Sequence, residues 1–499
     1  MEYKRPVQSS PKMKPRLIIH GGAGNIKPTN LTPERYKAVR NSLLGMIAKT
    51  HTYMFAPKAS STSGALPTAL EVATYAVTLL ENDPLFNAGK GAVFTRDGIQ
   101  QLEASVMVSR GFAKRATGVL GLQHVKNPIL LAKAMLEHGE EDLWGKKGQG
   151  HKDNIVERNI DTVQTESVGG AYSDPIRVDA PSAQGHTLLF GASAESLARK
   201  YGLELVPTQY FFTEQRWDEH IRSLEREKAG CRTQYLASWS ACEYLPQGTT
   251  GAVALDGEGV VCCATSTGGL TNKLNGRIGD TPVPGAGYWA EEWEDTVSPA
   301  SAVHSWSIWD RANQAVRRPG SALEFAGALR GLMADCLPTP FLYAPVPQHL
   351  GSSHLTTTRA FATSGTGNGD SFLRVNAART AAAIARWQGV SSSKALTAVT
   401  GPDGELQKSA GDRWMVTGEG EGGMIGIESV VVRDADGSIV ESRSDIIQDH
   451  NCPGMFRAWV DDEGKAVFQV WHDDAEVEAR GFVGEGQREN VRECEKMAL

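Results

Sequence analysis

Two spacings of apolar residues alternate along the chain. Tyr36, Val39, Leu43 and Ile47 recur every three or four positions, which predicts one buried face of an α-helix. Thr32 can cap that helix, and Pro33 suits its first position because the N–H that proline lacks has no partner there. Thr68 and Glu71 have capping-box spacing and predict a second helix through Leu80. Residues 52–66 between them are rich in Ser, Pro, Gly and Ala and read as a surface loop. A short helix is expected with Ser193 as its N-cap and Gly202 as its stop. The charged stretch 214–229 reads as a solvated helix rather than a binding surface.

The second spacing is that of strands. Arg16 to His20 is a short apolar run leading into Gly21-Gly22-Ala23-Gly24, whose plain reading is a strand-to-helix turn. Thr249 to Leu255 and Gly259 to Thr267 are two strand-like runs joined through Asp256-Gly257. Phe361 to Trp387 reads as a strand, a GTGNG loop and a helix. Met424–Arg433 and Ser438–Ser442 form a hairpin around Ala435-Asp436-Gly437; another turns at Asp462-Glu463-Gly464, with Trp459 and Trp471 on its arms. Three stretches lack a period. Residues 84–98 form a Gly-punctuated loop, in which Asn87 is a turn former or a polar contact. Residues 139–186 read as a long loop or flexible linker. Residues 291–360, with Trp293, Trp306, Trp309 and one helix from Ser321 to Cys336, read as an insertion with some core of its own.

Composition narrows the class. Hydrophobic residues at 40% and charged residues at 22% suit a folded globular chain, and a net charge of −7 gives no pull toward nucleic acid. The basic start MEYKRPVQSSPKMKPR is followed by no apolar core of a signal peptide, and no run is long enough to span a bilayer. Seven cysteines, an odd number without metal-ligand spacing, read as reduced, so a cytoplasmic protein is expected and the sequon at Asn30 is idle.

The chemistry concentrates in residues 247–290. Antiparallel pairing about Asp256-Gly257 puts Thr249 opposite Ser266 or Thr267, two hydroxyls at the open end of a hairpin. A plain cross-strand threonine pair explains this as well as a nucleophile and its neighbour does. Arg277 offers a planar fork for a carboxylate and Asp280 a partner for an ammonium, together a clamp for a free amino acid; a local ion pair is the alternative. The GTGNG loop before a helix can cradle a phosphate, stabilise an oxyanion or simply turn the chain. It does not meet the dinucleotide fingerprint, and no Walker, H-E-x-x-H or G-x-S-x-G motif occurs.

Six motifs in order carry a resemblance: HGGAG (20–24), LFNAGKGAVFTRDG (85–98), GTTGAVALD (248–256), ATSTGGLTNKLNGRIGD (264–280), GTGNGD (365–370) and GGMIGIE (422–428). Together they resemble the threonine-type (plant-type) asparaginase and isoaspartyl peptidase family of N-terminal nucleophile hydrolases. The resemblance implies an α+β fold, a four-layer αββα sandwich, with a disordered linker and an inserted segment. It also implies self-cleavage between Gly248 and Thr249 into subunits 1–248 and 249–499, paired further as a dimer of αβ heterodimers. Thr249 would then be the nucleophile and its freed α-amine the base. Thr267 would orient the Thr249 hydroxyl, and Thr366 with the Gly367 N–H would form the oxyanion hole. Arg277 would bind the substrate α-carboxylate, Asp280 its α-amine, and Gly367 and Gly369 would also line the substrate site. Asn87, His20 and Gly21 would support the cleavage site. No organic cofactor and no side-chain metal site are implied; a sodium ion through backbone carbonyls of the 84–93 loop is compatible.

The implied substrate is a small molecule or short peptide: L-asparagine or a β-aspartyl bond. Some positions depart from the family pattern. Thr250 stands where an aliphatic residue is usual, which makes it a competing nucleophile, and Met107-Val108-Ser109-Arg110-Gly111 replaces Met-Asp-Gly. YWAEEWE (288–294) is more reminiscent of threonine aspartase, so an endopeptidase acting on protein chains is one rival and an uncleaved, non-enzymatic binding scaffold another.

Overall fold

The computed structural model describes residues 13–58, 64–112, 115–144, 180–229, 248–294, 356–472 and 494–498. The fold is mixed α+β and is organised by two sheets. Strands β1 (Arg16–Gly24), β2 (Leu102–Val108), β3 (Ala116–Leu122), β4 (Leu188–Phe190), β5 (Thr250–Leu255), β6 (Val261–Thr267), β11 (Gly454–Val460), β12 (Lys465–Gln469) and β13 (Cys494–Ala498) make the larger sheet. Its order is β13-β12-β11-β1-β5-β6-β2-β3-β4. The smaller sheet is β10 (Ile439–His450), β9 (Gly422–Arg433), β8 (Thr356–Gly367) and β7 (Tyr288–Glu294), in that order.

The period of two along the central strands sorts side chains between layers. Leu17, Ile19, Ala252, Ala254, Cys262 and Ala264 face one core, which they share with helices α1 (Pro33–Phe55), α2 (Ala69–Glu81) and α3 (Pro128–Trp144). Their neighbours Ile18, Val253, Leu255 and Cys263 face the other way and meet Tyr288, Ala290, Ala362, Ile425 and Ile427 of the smaller sheet. Cys262 and Cys263 therefore lie on opposite faces, as their adjacency predicts, and both are free thiols. The outer face of the smaller sheet, with Phe361 and Met424, packs on the alanine-rich α7 (Ala377–Trp387) and on α8 (Ser392–Thr400).

The caps at Thr32 and Thr68 form as expected, with the Glu71 side chain closing the capping box. Both later hairpins form too, although Trp471 lies beyond the end of β12 and donates its indole N–H to the Ile26 carbonyl. Other expectations need correction. α1 runs on to Phe55, burying Met54, and takes the first residues assigned to the 52–66 loop. Gly21–Gly24 belong to β1, which bulges between His20 and Gly22, so this glycine run is strand rather than turn. α3 extends to Trp144, so residues 139–144 are helical; residues 145–179 of the expected linker lie outside the described residues.

Ser193 sits inside α4 (Gly191–Lys200), whose N-cap is Phe190, while Gly202 does follow the helix end with a φ of +71°. The charged helix α5 (Glu214–Lys228) is not solvated all round: Arg216, Glu219, His220 and Ser223 are buried. The helix expected after GTGNG is two helices, α6 (Gly369–Val375) and α7, broken where Asn376 adopts a left-handed φ of 49°. Residues 291–294 and 356–360 of the expected insertion are the ends of β7 and β8, and Trp293 packs in the main core. Trp306, Trp309 and the helix expected at 321–336 lie outside the described residues.

Candidate active site

Three chain segments meet at the start of β5. The register of the β5–β6 hairpin pairs Thr250 with Ser266, so Thr249 stands across from Thr267, one of the two registers the turn allows. Gly248 lies against β1: a Cβ on Gly248 would fall 2.3 Å from the Gly22 Cα and 2.4 Å from the Ala23 nitrogen. Only a residue without a side chain fits between these backbones, and Gly22 opposite it holds a φ of +119°. Gly21 is equally confined, its would-be Cβ 2.6 Å from the Phe86 ring.

The two adjacent threonines have different duties. Thr250 Oγ1 donates to the Ser266 carbonyl at 3.1 Å, a bond internal to the sheet. Thr249 Oγ1 instead bonds the hydroxyl of Thr281 at 3.2 Å. Across from it, Thr267 Oγ1 accepts the Gly269 N–H at 3.0 Å and so shapes the turn after β6. Asn87 braces that same turn: its amide donates to the Gly269 carbonyl at 2.8 Å while its oxygen accepts the Val93 N–H at 3.0 Å. Asn87 is thus a polar contact rather than a turn former, and it supports Thr267 and its turn.

His20 is fully buried beneath the site. Its Nε2 is 2.8 Å from Ser364 Oγ, which is 2.9 Å from Thr265 Oγ1. Burial lowers its pKa to about 3, against a hydrogen bond with the Thr249 backbone that raises it, so the imidazole is neutral and serves as scaffold. At the end of β8, Thr366 Oγ1 accepts the Ala23 N–H at 3.2 Å, which joins the GTGNG segment to the HGGAG segment. Gly367 has a φ of +143°, and a Cβ there would lie 2.4 Å from the Glu421 carbonyl. Asn368 spends its side chain capping α6, accepting the Ser371 N–H at 3.0 Å.

Arg277 and Asp280 converge at the start of α6. Arg277 reaches α6 and pairs with Asp370 at 3.1 Å. Asp280 is buried, its Oδ2 has no hydrogen-bond partner, and burial raises its pKa to about 7 against the pull of Arg277. A Cβ on Gly369 would lie 2.5 Å from Asp280 Oδ1 and 3.2 Å from the Arg277 guanidinium, so any side chain there would press on both groups. Gly369→Ala should therefore lower kcat/KM about 10-fold or more and lower the melting temperature through overpacking against Asp280, checked by steady-state kinetics and melting curves.

Four neighbours were given no role by the sequence, although Lys273 and Asp370 lie within its motifs. Thr281 follows Asp280 directly, and Asp370 ends the GTGNGD motif, but contact with each becomes evident only in the fold. Glu103 and Lys273 are both buried, 3.9 Å apart, and burial pushes each toward its neutral form against their mutual attraction. In the 84–93 loop, Cβ atoms on Gly89 and Gly91 would fall 2.3 Å from the Glu81 carbonyl and 2.0 Å from that of Phe86, so only glycine allows these close backbone approaches.

The site as a whole links a buried threonine hydroxyl, through Thr281, to a buried carboxylate and the Arg277 guanidinium. Comparison with known proteins gives the family. A family model described as asparaginase matches residues 13–169 and 171–301. The chain is 32% identical over 282 residues to the isoaspartyl peptidase of Escherichia coli (strain K12), covering 56% of this chain and 70% of that one. It is 33% identical over 282 residues to the plant-type L-asparaginase of Pyrococcus furiosus, covering 55% and 70%. The isoaspartyl peptidase/L-asparaginase of Danio rerio is 29% identical over 287 residues, covering 58% and 70%. The chain belongs to this asparaginase family and is a hydrolase. The matched residues include Thr249, Thr267, Arg277 and Asp280; Thr366, Gly367 and Gly369 lie beyond them and enter the site through β8 and α6. Among the described residues no helix is long and apolar enough to cross a membrane.

Proposed function

We propose that the protein is a self-processed amidohydrolase that cleaves the side-chain amide of L-asparagine or the β-aspartyl bond of short isoaspartyl peptides. The observation that carries this reading is the buried Asp280 carboxylate, its Oδ2 without a hydrogen-bond partner, set beside Arg277 and against the bare backbone of Gly369. An aspartyl unit with free α-amine and α-carboxylate satisfies both charges at once. An internal residue of a protein chain offers no α-amine, which counts against the endopeptidase reading. An uncleaved binding scaffold would have no need for a nucleophile set at a glycine-lined bond.

In this reading the chain cuts itself between Gly248 and Thr249, giving subunits 1–248 and 249–499 that stay together and pair as a dimer of heterodimers. The sheets and their helices form a four-layer αββα sandwich of the N-terminal nucleophile type. The Thr249 α-amine, with a reference pKa of about 7.7–8.0, takes the proton of its own hydroxyl. Thr249 Oγ1 then attacks the side-chain carbonyl of the substrate, while the Thr366 hydroxyl and Gly367 N–H stabilise the oxyanion. The amine leaves with a proton, and water hydrolyses the threonyl ester to release aspartate. A sodium ion would brace the 84–93 loop through carbonyls such as that of Phe86 and takes part in no step. The test is release of aspartate from L-asparagine, from β-aspartyl dipeptides and from an unfolded protein with internal aspartates. Turnover of either small substrate supports the reading, and cleavage of the protein alone overturns it.

A further inference from the structure

Before the chain is cut, the nitrogen of Thr249 is an amide and cannot act as a base. Orientation of the hydroxyl then falls to the side chains around it. Its hydrogen-bond partner is Thr281, at 3.2 Å, with both residues buried. We propose that Thr281 is the positioning residue for self-cleavage, held in place by the turn it shares with Asp280. The proposal rests on the reading of Thr249 as the self-cleaving nucleophile.

The turn is built to be rigid. The Val283 N–H donates to the Asp280 carbonyl at 3.0 Å, closing residues 280–283 into a tight turn. Ser105 Oγ donates to the Thr281 carbonyl at 2.6 Å, tying the turn to β2. Gly118 on β3 lies against it, its would-be Cβ 2.7 Å from the Pro282 carbonyl. On the other side, Gly287 lies close enough that its would-be Cβ falls 2.7 Å from the Asp280 carbonyl. Thr281 and Asp280 are therefore fixed together, one on the nucleophile and one at the ammonium receptor.

In the step itself the Thr249 Oγ1 bonds to the Gly248 carbonyl carbon, and the bond from that carbon to the Thr249 nitrogen breaks. The proton lost by the hydroxyl ends on that nitrogen. Water then hydrolyses the Gly248 ester, leaving a Gly248 carboxylate and a free Thr249. Thr281 holds the hydroxyl while this happens and gains or loses nothing overall.

The experiment follows self-cleavage of freshly purified full-length chain by mass spectrometry, in wild type, Thr281→Ser and Thr281→Val, with melting curves for each. Thr281→Val keeps the shape and removes the hydroxyl; Thr281→Ser keeps the hydroxyl. The expected result is cleavage about 10- to 100-fold slower in Thr281→Val, with Thr281→Ser near wild type in rate and in melting, and Thr281→Val folded and melting lower by no more than the loss of one buried hydrogen bond brings. Wild-type cleavage rates in Thr281→Val overturn the proposal. Equal slowing in both variants also overturns it, because packing rather than the hydroxyl would then be responsible. Failure of the underlying reading is distinguishable: wild type itself would stay whole, or would be cut elsewhere than at Gly248–Thr249.

Discussion

Thr249→Ala should remain a single uncut chain of 53.7 kDa and release no aspartate from either small substrate, whereas wild type should separate into two pieces. Both losses are expected together, since in the proposed mechanism the same oxygen attacks the chain's own carbonyl and the substrate's. The expected fall in kcat is at least about 10⁴-fold, as for loss of a nucleophile in other hydrolases. Thr250→Val is the matched control. Its hydroxyl donates to the Ser266 carbonyl within the sheet, so its loss should cost stability while leaving the cleavage position unchanged. Intact mass and an aspartate-release assay on the two variants separate the adjacent threonines.

Asp280→Asn should lower kcat/KM by about 10²- to 10³-fold, because truncating one partner of a buried charge pair strands the substrate ammonium. It should also change the pH profile. Burial raises the Asp280 pKa from 3.8 to about 7, so in the free enzyme the carboxylate that receives an ammonium forms only as pH rises through about 7. The Thr249 α-amine must lose its proton over nearly the same range. The acid limb of kcat/KM should therefore approach a slope of two in wild type and one in Asp280→Asn.

Stability moves in the opposite direction. A carboxyl whose pKa is raised on folding favours the folded state fully below its unfolded value, and that contribution is lost as pH rises through the folded value. Wild type should thus lose stability relative to Asp280→Asn between pH 3.8 and about 7, so the variant's advantage in Tm opens across that window. A site that holds an unpaired carboxylate for its ligand gives up stability to do so.

Much of this site was legible before the fold was known, and the residues explain why. The Asp256-Gly257 turn set the hairpin register to within one residue, which put Thr249 opposite Ser266 or Thr267, and the fold takes the second. Thr68 and Glu71 announced α2 by a local bond that needs no tertiary context. What stayed hidden depends on contact between distant segments. Gly21–Gly24 look like a turn because glycine allows one, yet they form a strand whose bare backbone is what Gly248 packs against. Thr281 lies 32 residues from Thr249, and nothing local in its sequence marks it as a partner. The buried face of α5 was obscured because it is polar: Arg216 is buried through bonds to the Gly91 carbonyl and to Glu219, so hydrophobic spacing gives no sign of it.

If this chain becomes active by cutting its own Gly248–Thr249 bond, N-terminal sequencing with intact mass of the purified wild-type protein should find two chains, the second beginning at Thr249-Thr250-Gly251-Ala252. A single chain after prolonged incubation, or a second chain that begins anywhere else, would contradict it.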